Sequence, residues 1–247
     1  PGLSPTEAQA LEAGDVWWEA DLFSGNPDWD RFTSFAAHGF TDEEQAFLDG
    51  PVDELCYMLN DFEIEHARMD LSEDVWAFLK KHKFLGMIIP KEYSGLGFSA
   101  SAHSEVVKRI ATRSVSAAVT VMVPNSLGPG ELLMLYGTDE QKTYYLPRLA
   151  SGSEVPCFAL TGVEAGSDAS AMTAIGTVCH GVWEGERTLG IRLNWEKRYT
   201  TLGPVATLIG LAFKLRDPDG LLGGEEDRGI TVALVPTDLP GVDIGKR

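Results

Sequence analysis

The sequence predicts an α+β multidomain chain: an all-α helical region followed by an antiparallel β-barrel or sandwich. Capping boxes at Thr41–Glu44 and Thr138–Gln141 head apolar residues at helical spacing. After Gly152 the pattern changes to short apolar runs separated by Gly, Pro and Asp turn residues. No helical segment is interleaved with those runs, which argues for a barrel or sandwich over a parallel βαβ sheet. The expected boundaries are an aromatic N-terminal arm over 1–40, a helical domain over 41–153 and a β domain over 154–247.

Residues 1–40 carry Trp17, Trp18, Trp29 and Phe32 among the turn signals Gly25-Asn26-Pro27-Asp28. Aromatics at this density predict an extended arm wrapping a neighbouring surface rather than a disordered leader. Thr41 as N-cap and Glu44 at N3 open the first domain helix, which Gly50-Pro51 breaks or restarts. Leu55, Met58, Leu59, Phe62 and Ile64 continue an apolar face. Ser72-Glu73-Asp74 caps the next helix, with Val75, Trp76 and Leu79 inward. Phe84–Pro90 reads as a buried extended link, and Lys91–Gly97 as a glycine-punctuated loop. Helices are expected over 101–113 and 115–122, the second so rich in Val, Ala, Ser and Thr that burial all round is expected. Another follows over 125–136, stopped by Gly137, and a last one covers 141–150. Strands are expected over 155–160, 175–178, 188–193, 206–215 and 230–235.

The 247 residues are 44% hydrophobic and 23% charged, a soluble globular balance. The most apolar pieces, 115–123 and 205–213, are too short to cross a membrane. The N-terminus has neither the basic nor the apolar region of a signal peptide. A start at Pro1 and a closing GVDIGKR that reads as a new strand lead us to expect sequence beyond both ends. The net charge of −17 repels nucleic acid and leaves no basic stripe to offset it. Any anionic ligand therefore needs a local basic exception. Lys80-Lys81-His82-Lys83 and Lys197-Arg198 are the clustered candidates, the first reading as solvated surface. Three cysteines without a C-x-x-C pair suggest free thiols in a reducing compartment. Five scattered histidines have no metal-ligand spacing.

The segment Cys157–Asp168, CFALTGVEAGSD, joins an apolar strand to a small-residue loop. Glycine lets the backbone approach a ligand, and Asp168 is placed to cap a turn. An ordinary strand and loop is the plain alternative for such a tetrapeptide alone. The run Thr161-Gly162-Val163-Glu164-Ala165-Gly166-Ser167-Asp168 resembles the flavin-contacting signature of the acyl-CoA dehydrogenases, Thr-Glu-Pro-x-Ala-Gly-Ser-Asp. Gly162 and Val163 replace its Glu and Pro. Lys197-Arg198-Tyr199-Thr200-Thr201-Leu202 resembles that family's Lys-x-Trp-Ile-Thr/Ser-Asn, with Tyr199 where the family has Trp. The stretches FLGMIIPKEYSGLGFSA, PNSLGPGELL and YGTDEQKTYYLPRLASGSEVPCFALT are also similar to the family's N-terminal half, in particular to its long bacterial fatty-acid-degradation forms.

The resemblance implies a helical domain, a β domain and a third, helical domain, the last absent from these residues. It implies FAD as cofactor. Phe158, Leu160 and Thr161 would line the isoalloxazine ring, with Thr161 on its pyrimidine edge. Gly166 and Ser167 would approach the cofactor phosphates or the pantetheine of the acyl-CoA substrate. Tyr199 would stack on the flavin, and Thr200 and Thr201 would adjoin it, Thr201 near N5. Such a site suits flavin chemistry: an apolar platform, fixed donors, and glycine where phosphate meets backbone. For Phe158, Leu160 and Tyr199 the plain alternative is sheet core.

The implied reaction takes an α-proton and a β-hydride from a fatty acyl-CoA, giving a trans-2-enoyl-CoA, the first step of β-oxidation. Electron-transfer flavoprotein or a similar acceptor reoxidises the flavin. The base is a glutamate of the third domain, so no catalytic residue is assigned here; Glu131, Glu140 and Glu164 are carboxylates without that role. A homo-oligomer and a cytoplasmic site are further implications, any inner-membrane attachment being carried by segments outside this chain. Two alternatives stay open: an acyl-CoA oxidase or monooxygenase on the same fold, and a non-catalytic acyl-CoA-binding relative.

Overall fold

A computed structural model describes residues 18–36, 39–126 and 128–245, in two units, 1–39 and 40–247. In the described part of the first unit, where the sequence predicts an extended arm, residues 18–36 form a pair of short helices, α1 (Glu19–Phe23) and α2 (Trp29–Ser34). The Asp28 carboxylate accepts from Arg31 N at 2.9 Å and starts α2. The Trp18 ring packs 4.4 Å from Phe32 and 5.3 Å from Trp29, and its Nε1 donates to Asp28 O at 2.9 Å. The aromatics thus hold a local turn together. Trp17 lies outside the described residues.

The second unit opens with α3 (Asp42–Phe47). Thr41 Oγ1 accepts from Glu44 N at 3.2 Å, and Glu44 Oε2 accepts from Thr41 N at 2.8 Å. The other Glu44 oxygen accepts from Ser99 N at 2.7 Å, so one buried carboxylate braces α3 against the start of α6 (Ala100–Ala111). Gly50-Pro51 does not break the chain direction. Pro51 has no N–H to donate, and Leu48–Val52 is a π-turn leading into α4 (Asp53–Met58). Arg109 of α6 donates to the Leu48 carbonyl at 2.9 Å.

Ser72 caps α5 (Glu73–Lys81) as expected. The link after it is buried but turns as a short 3₁₀ segment, Phe84–Gly86, rather than running extended. Helices α7 (Val115–Met122), α8 (Pro129–Tyr136) and α9 (Asp139–Ser151) complete the helical layer. α7 is not buried all round, because Val115 is 65% exposed. Buried Asn125 ties the layer together: its amide donates to Phe84 O (2.7 Å) and Val121 O (2.8 Å) and its carbonyl accepts from Ile88 N (3.2 Å). The core between these helices includes Leu48, Val52, Leu55, Leu79, Val106 and Ile110.

The sheet comprises β1 (Pro156–Ala159), β2 (Ile175–Trp183), β3 (Glu186–Asn194), β4 (Leu208–Arg216) and β5 (Asp227–Pro236). It is mixed, which corrects the antiparallel expectation. β1 pairs β4 in parallel, Pro156 opposite Leu208, and β2 pairs β4 in parallel, Ile175 opposite Lys214. The β2–β3 and β4–β5 pairs are antiparallel. Residues 195–207 return the chain so that β4 runs alongside both β1 and β2. Alternation within a strand reports which face is buried, not which way its neighbour runs.

β1 and β2 pair with successive parts of one edge of β4. The chain from Leu160 to Ala174 is therefore an excursion leaving and rejoining that edge. In β1, Cys157 and Ala159 join the core with Ile209, Leu211 and Phe213. Phe158 and Leu160 pack on Ala165, Met172 and Ala212. A Cβ on Gly210 would meet the Phe158 ring at 2.8 Å, so glycine there makes room for that ring.

Candidate functional site

The site is built from two loops at the end of β1. Pairing of β1 with β4 stops at Ala159, and the next carbonyl, of Leu160, accepts from Lys197 Nζ at 2.7 Å. Thr161 O accepts from Arg198 N at 3.0 Å. The two sequence segments singled out above are thus bonded to each other across 37 residues of chain. Gly162 N donates to Ala165 O at 2.9 Å, closing a tight turn. Ala165 is buried, whereas Gly166, Ser167 and Asp168 face solvent. Asp168 caps the 3₁₀ turn Ala169–Ala171, its carboxylate accepting from Ser170 N at 3.0 Å. The Ser170 hydroxyl is the main cause that holds its pKa below the ordinary carboxylate value.

In the second loop Tyr199 has a left-handed backbone, φ +55°, and its side chain is 89% exposed. A non-glycine residue pays for that conformation. Thr200 O then accepts from Gly203 N at 3.0 Å, turning the chain back toward β4. A cleft of about 570 Å³ opens here, with Tyr199, Thr200, Thr201, Trp195 and Lys197 on its loop side and Cys157, Ala159 and Ile209 on the sheet side. Its volume lies within the range of small-molecule sites. Burial pushes the Cys157 thiol up to about 11, so it is a neutral wall of the cleft. Burial lowers the Lys197 pKa.

A second cleft, of about 390 Å³, shares Thr201 and Pro204 with the first. Val115, Ser116 and Val119 of α7 line it, with Ile64, Leu71 and Trp76. That is why α7 shows one open face. Glu65 and Asp70 also reach it. Ser116 Oγ donates to Glu65, and Trp76 Nε1 donates to Asp70 at 3.1 Å.

The structure brings Tyr199, Thr200 and Thr201 to one cleft and bonds Lys197 and Arg198, just before them, to the backbone of Leu160 and Thr161. It does not bring all the expected contacts to one surface. The side chains of Phe158 and Leu160 lie on the face of β1 opposite Cys157 and Ala159. Gly166 and Ser167 stand on the exposed loop and do not line the cleft. Glu131, Glu140 and Glu164 are exposed and line neither cleft. Residue-by-residue reading passed over Cys157 and Ala159, although strand alternation assigns them the face opposite Phe158. Trp195 and Ile209 carry no signal in the sequence that separates them from core. Among the described residues, the hydroxyls of Thr161, Ser167, Tyr199, Thr200 and Thr201 have no hydrogen-bond partner. The donor set needed by a polar heterocycle beside an aromatic platform is therefore present and unspent.

No helix among the described residues is long and apolar enough to cross a membrane. The family model for the acyl-CoA dehydrogenase N-terminal domain matches residues 41–153. The chain is 30% identical over 167 residues to an acyl-CoA dehydrogenase of Bacillus subtilis, covering 68% of this chain and 40% of that protein. It is 30% identical over 253 residues to a probable acyl-CoA dehydrogenase of Mycobacterium bovis, covering 99% of this chain and 37% of that protein. The chain thus spans well under half the length of these relatives. Among solved structures it is similar to a Bacillus anthracis acyl-CoA dehydrogenase complexed with FAD, with a TM-score of 0.67 and 23% identity, over 84% of this chain and 33% of that one.

Proposed function

We propose, from the premise that the chain belongs to the acyl-CoA dehydrogenase family, that it forms the flavin-facing part of an FAD-dependent acyl-CoA dehydrogenase. The observation that carries this is the bonding of Leu160 and Thr161 to Lys197 and Arg198, which ties the first signature segment to the one that lines the cleft. The residues fit the cofactor: an exposed Tyr199, unspent hydroxyls, and Gly166 with open space where a Cβ would stand. The Bacillus anthracis relative, described as complexed with FAD, supports the same reading.

Tyr199, Thr200 and Thr201 would hold the ring system in the 570 Å³ cleft, and Thr161 would add a donor from the first loop. Gly166 and Ser167, on the exposed loop, are suited to phosphate or pantetheine rather than to the ring. Phe158 and Leu160 act from behind, setting the Ala165 turn through their packing on Ala165 and Met172. Bound FAD would supply the hydride acceptor. The second cleft, which shares Thr201 and Pro204 with the first and has Val115 and Val119 of α7 beside Ile64, Leu71 and Trp76, would take the acyl chain.

The substrate class is a fatty acyl-CoA, oxidised to the trans-2-enoyl-CoA in the first step of β-oxidation. Electron-transfer flavoprotein or a similar carrier takes the electrons, and the working protein is a cytoplasmic homo-oligomer. No residue of this chain is assigned as the base. Fluorescence titration of FAD tests the reading. Quenching that is lost in Tyr199→Ala and Thr201→Ala supports it, and no saturable binding by the wild-type chain contradicts it.

A further inference from the structure

We propose that Lys197 is a positioning residue: clamped on the Leu160 carbonyl at the end of β1, it holds the Thr161–Asp168 loop in register with the Tyr199–Thr201 turn. The inference deepens the flavin reading above and rests on it for the identity of the ligand. Its geometry stands separately.

The β1–β4 ladder ends at Ala159, opposite Leu211. The Leu160 carbonyl lies just past the end of that ladder, on a half-buried residue. Such a group needs a donor, and Lys197 Nζ supplies it at 2.7 Å. One residue further along each segment, Arg198 N donates to Thr161 O at 3.0 Å. A single link would fix a distance. Two links at adjacent residues also fix the relative direction of the segments.

The chemistry of Lys197 favours this role over that of a solvated surface cation. A lysine on an open surface extends its ammonium to water. Lys197 is half-buried and walls the cleft, and it makes no ion pair among the described residues. Burying an ammonium without a carboxylate costs free energy, and burial alone accounts for its lowered pKa. The carbonyl link offsets that cost. Tyr199, two residues on, is held in a left-handed conformation. Such a conformation persists only when its surroundings over-determine it. The clamp provides that constraint on its N-terminal side, and the Thr200–Gly203 bond provides it on the other.

Amide hydrogen exchange on the 247-residue chain, without ligand, tests the clamp. In Lys197→Met, the Gly162 amide, which closes the loop onto Ala165 O, and the Arg198 amide, which donates to Thr161 O, should exchange roughly ten- to a hundredfold faster, the loss expected for a hydrogen bond from a charged donor. Amides of Ile209–Phe213 in β4 should keep their protection. Lys197→Arg, which retains charge and donors, should restore most of the protection in the loop. With FAD added, the visible circular dichroism of the bound flavin should weaken in the Met variant and return in the Arg variant. Unchanged loop exchange in Lys197→Met, or equal loss in the Met and Arg variants, overturns the proposal. If Lys197→Met also loses β4 protection, wild type, Lys197→Gln and Lys197→Arg are compared on the same readings. Failure of the wild-type chain to bind FAD overturns the flavin reading, and the exchange result still decides the clamp.

Discussion

Replacing Tyr199 by glycine should stabilise the chain while weakening its ligand site. Tyr199 sits at φ +55° with 89% of its surface exposed, so its ring contributes little packing. The left-handed backbone costs a non-glycine residue about 1–2 kcal/mol. Glycine removes that cost but adds about 0.5–1 kcal/mol of unfolded-state entropy. The net expected gain is about 0.5–1 kcal/mol. Tyr199→Ala is the control, since it loses the ring and keeps the strain, so its stability should stay close to wild type. Both variants should bind FAD more weakly, by about 0.5–1.5 kcal/mol for a lost aromatic contact. Urea unfolding and flavin fluorescence titration read the two effects separately. A glycine variant less stable than the alanine variant would refute the reasoning, because it would show that the backbone at 199 is not strained. Unchanged FAD affinity in both would remove Tyr199 from the site.

Three further outcomes are expected. Glu44→Gln should cost about 1.5–3 kcal/mol at neutral pH, because an amide cannot accept from both Thr41 N and Ser99 N with its two ends. The Ser99 backbone bond chiefly lowers the folded pKa of Glu44. Wild type therefore holds this stability above the unfolded carboxyl value and loses it as pH falls through the folded one. The difference between the two proteins in urea melts should shrink in acid; a constant difference from neutral pH to acid contradicts the assignment. Ser167→Ala should weaken binding of FAD or acyl-CoA by about 1.5–3 kcal/mol if its hydroxyl meets a charged group, and unchanged titrations for both ligands would remove that role. The 247 residues assayed with palmitoyl-CoA and an artificial electron acceptor should show no turnover, since general-base catalysis is worth about 10²–10⁴-fold and no base is assigned here. Turnover would place a base among the cleft carboxylates Glu65, Asp70 and Asp243.

The helical layer was legible because its signals are local. Thr41, Ser72 and Thr138 each accept from the third residue onward, and that spacing is visible in a string of letters. The sheet was legible in its strands and not in its pairing. Whether β4 runs with or against β1 depends on residues 195–207, whose turn at Tyr199 and Leu202 uses left-handed conformations that neither residue type announces. The site divides in the same way. The segments were found from their letters, and the bond from Lys197 to Leu160 that joins them spans 37 residues. Phe158 and Leu160 were placed with Tyr199 by resemblance, whereas strand alternation puts them on the opposite face of β1. Tryptophan density in the arm signals burial without saying against what, and in its described part Trp18 packs on Trp29 and Phe32, a few residues away.

The most direct measurement of the central claim is amide chemical-shift mapping of the isotope-labelled chain during titration with FAD, which registers weak as well as tight binding. The account predicts saturable shifts over Leu160–Asp168 and Lys197–Gly203, with those of Lys197–Gly203 lost in Thr201→Ala. Shifts confined to other surfaces, or none at FAD concentrations that saturate a weak site, would contradict the assignment of this cleft to a flavin.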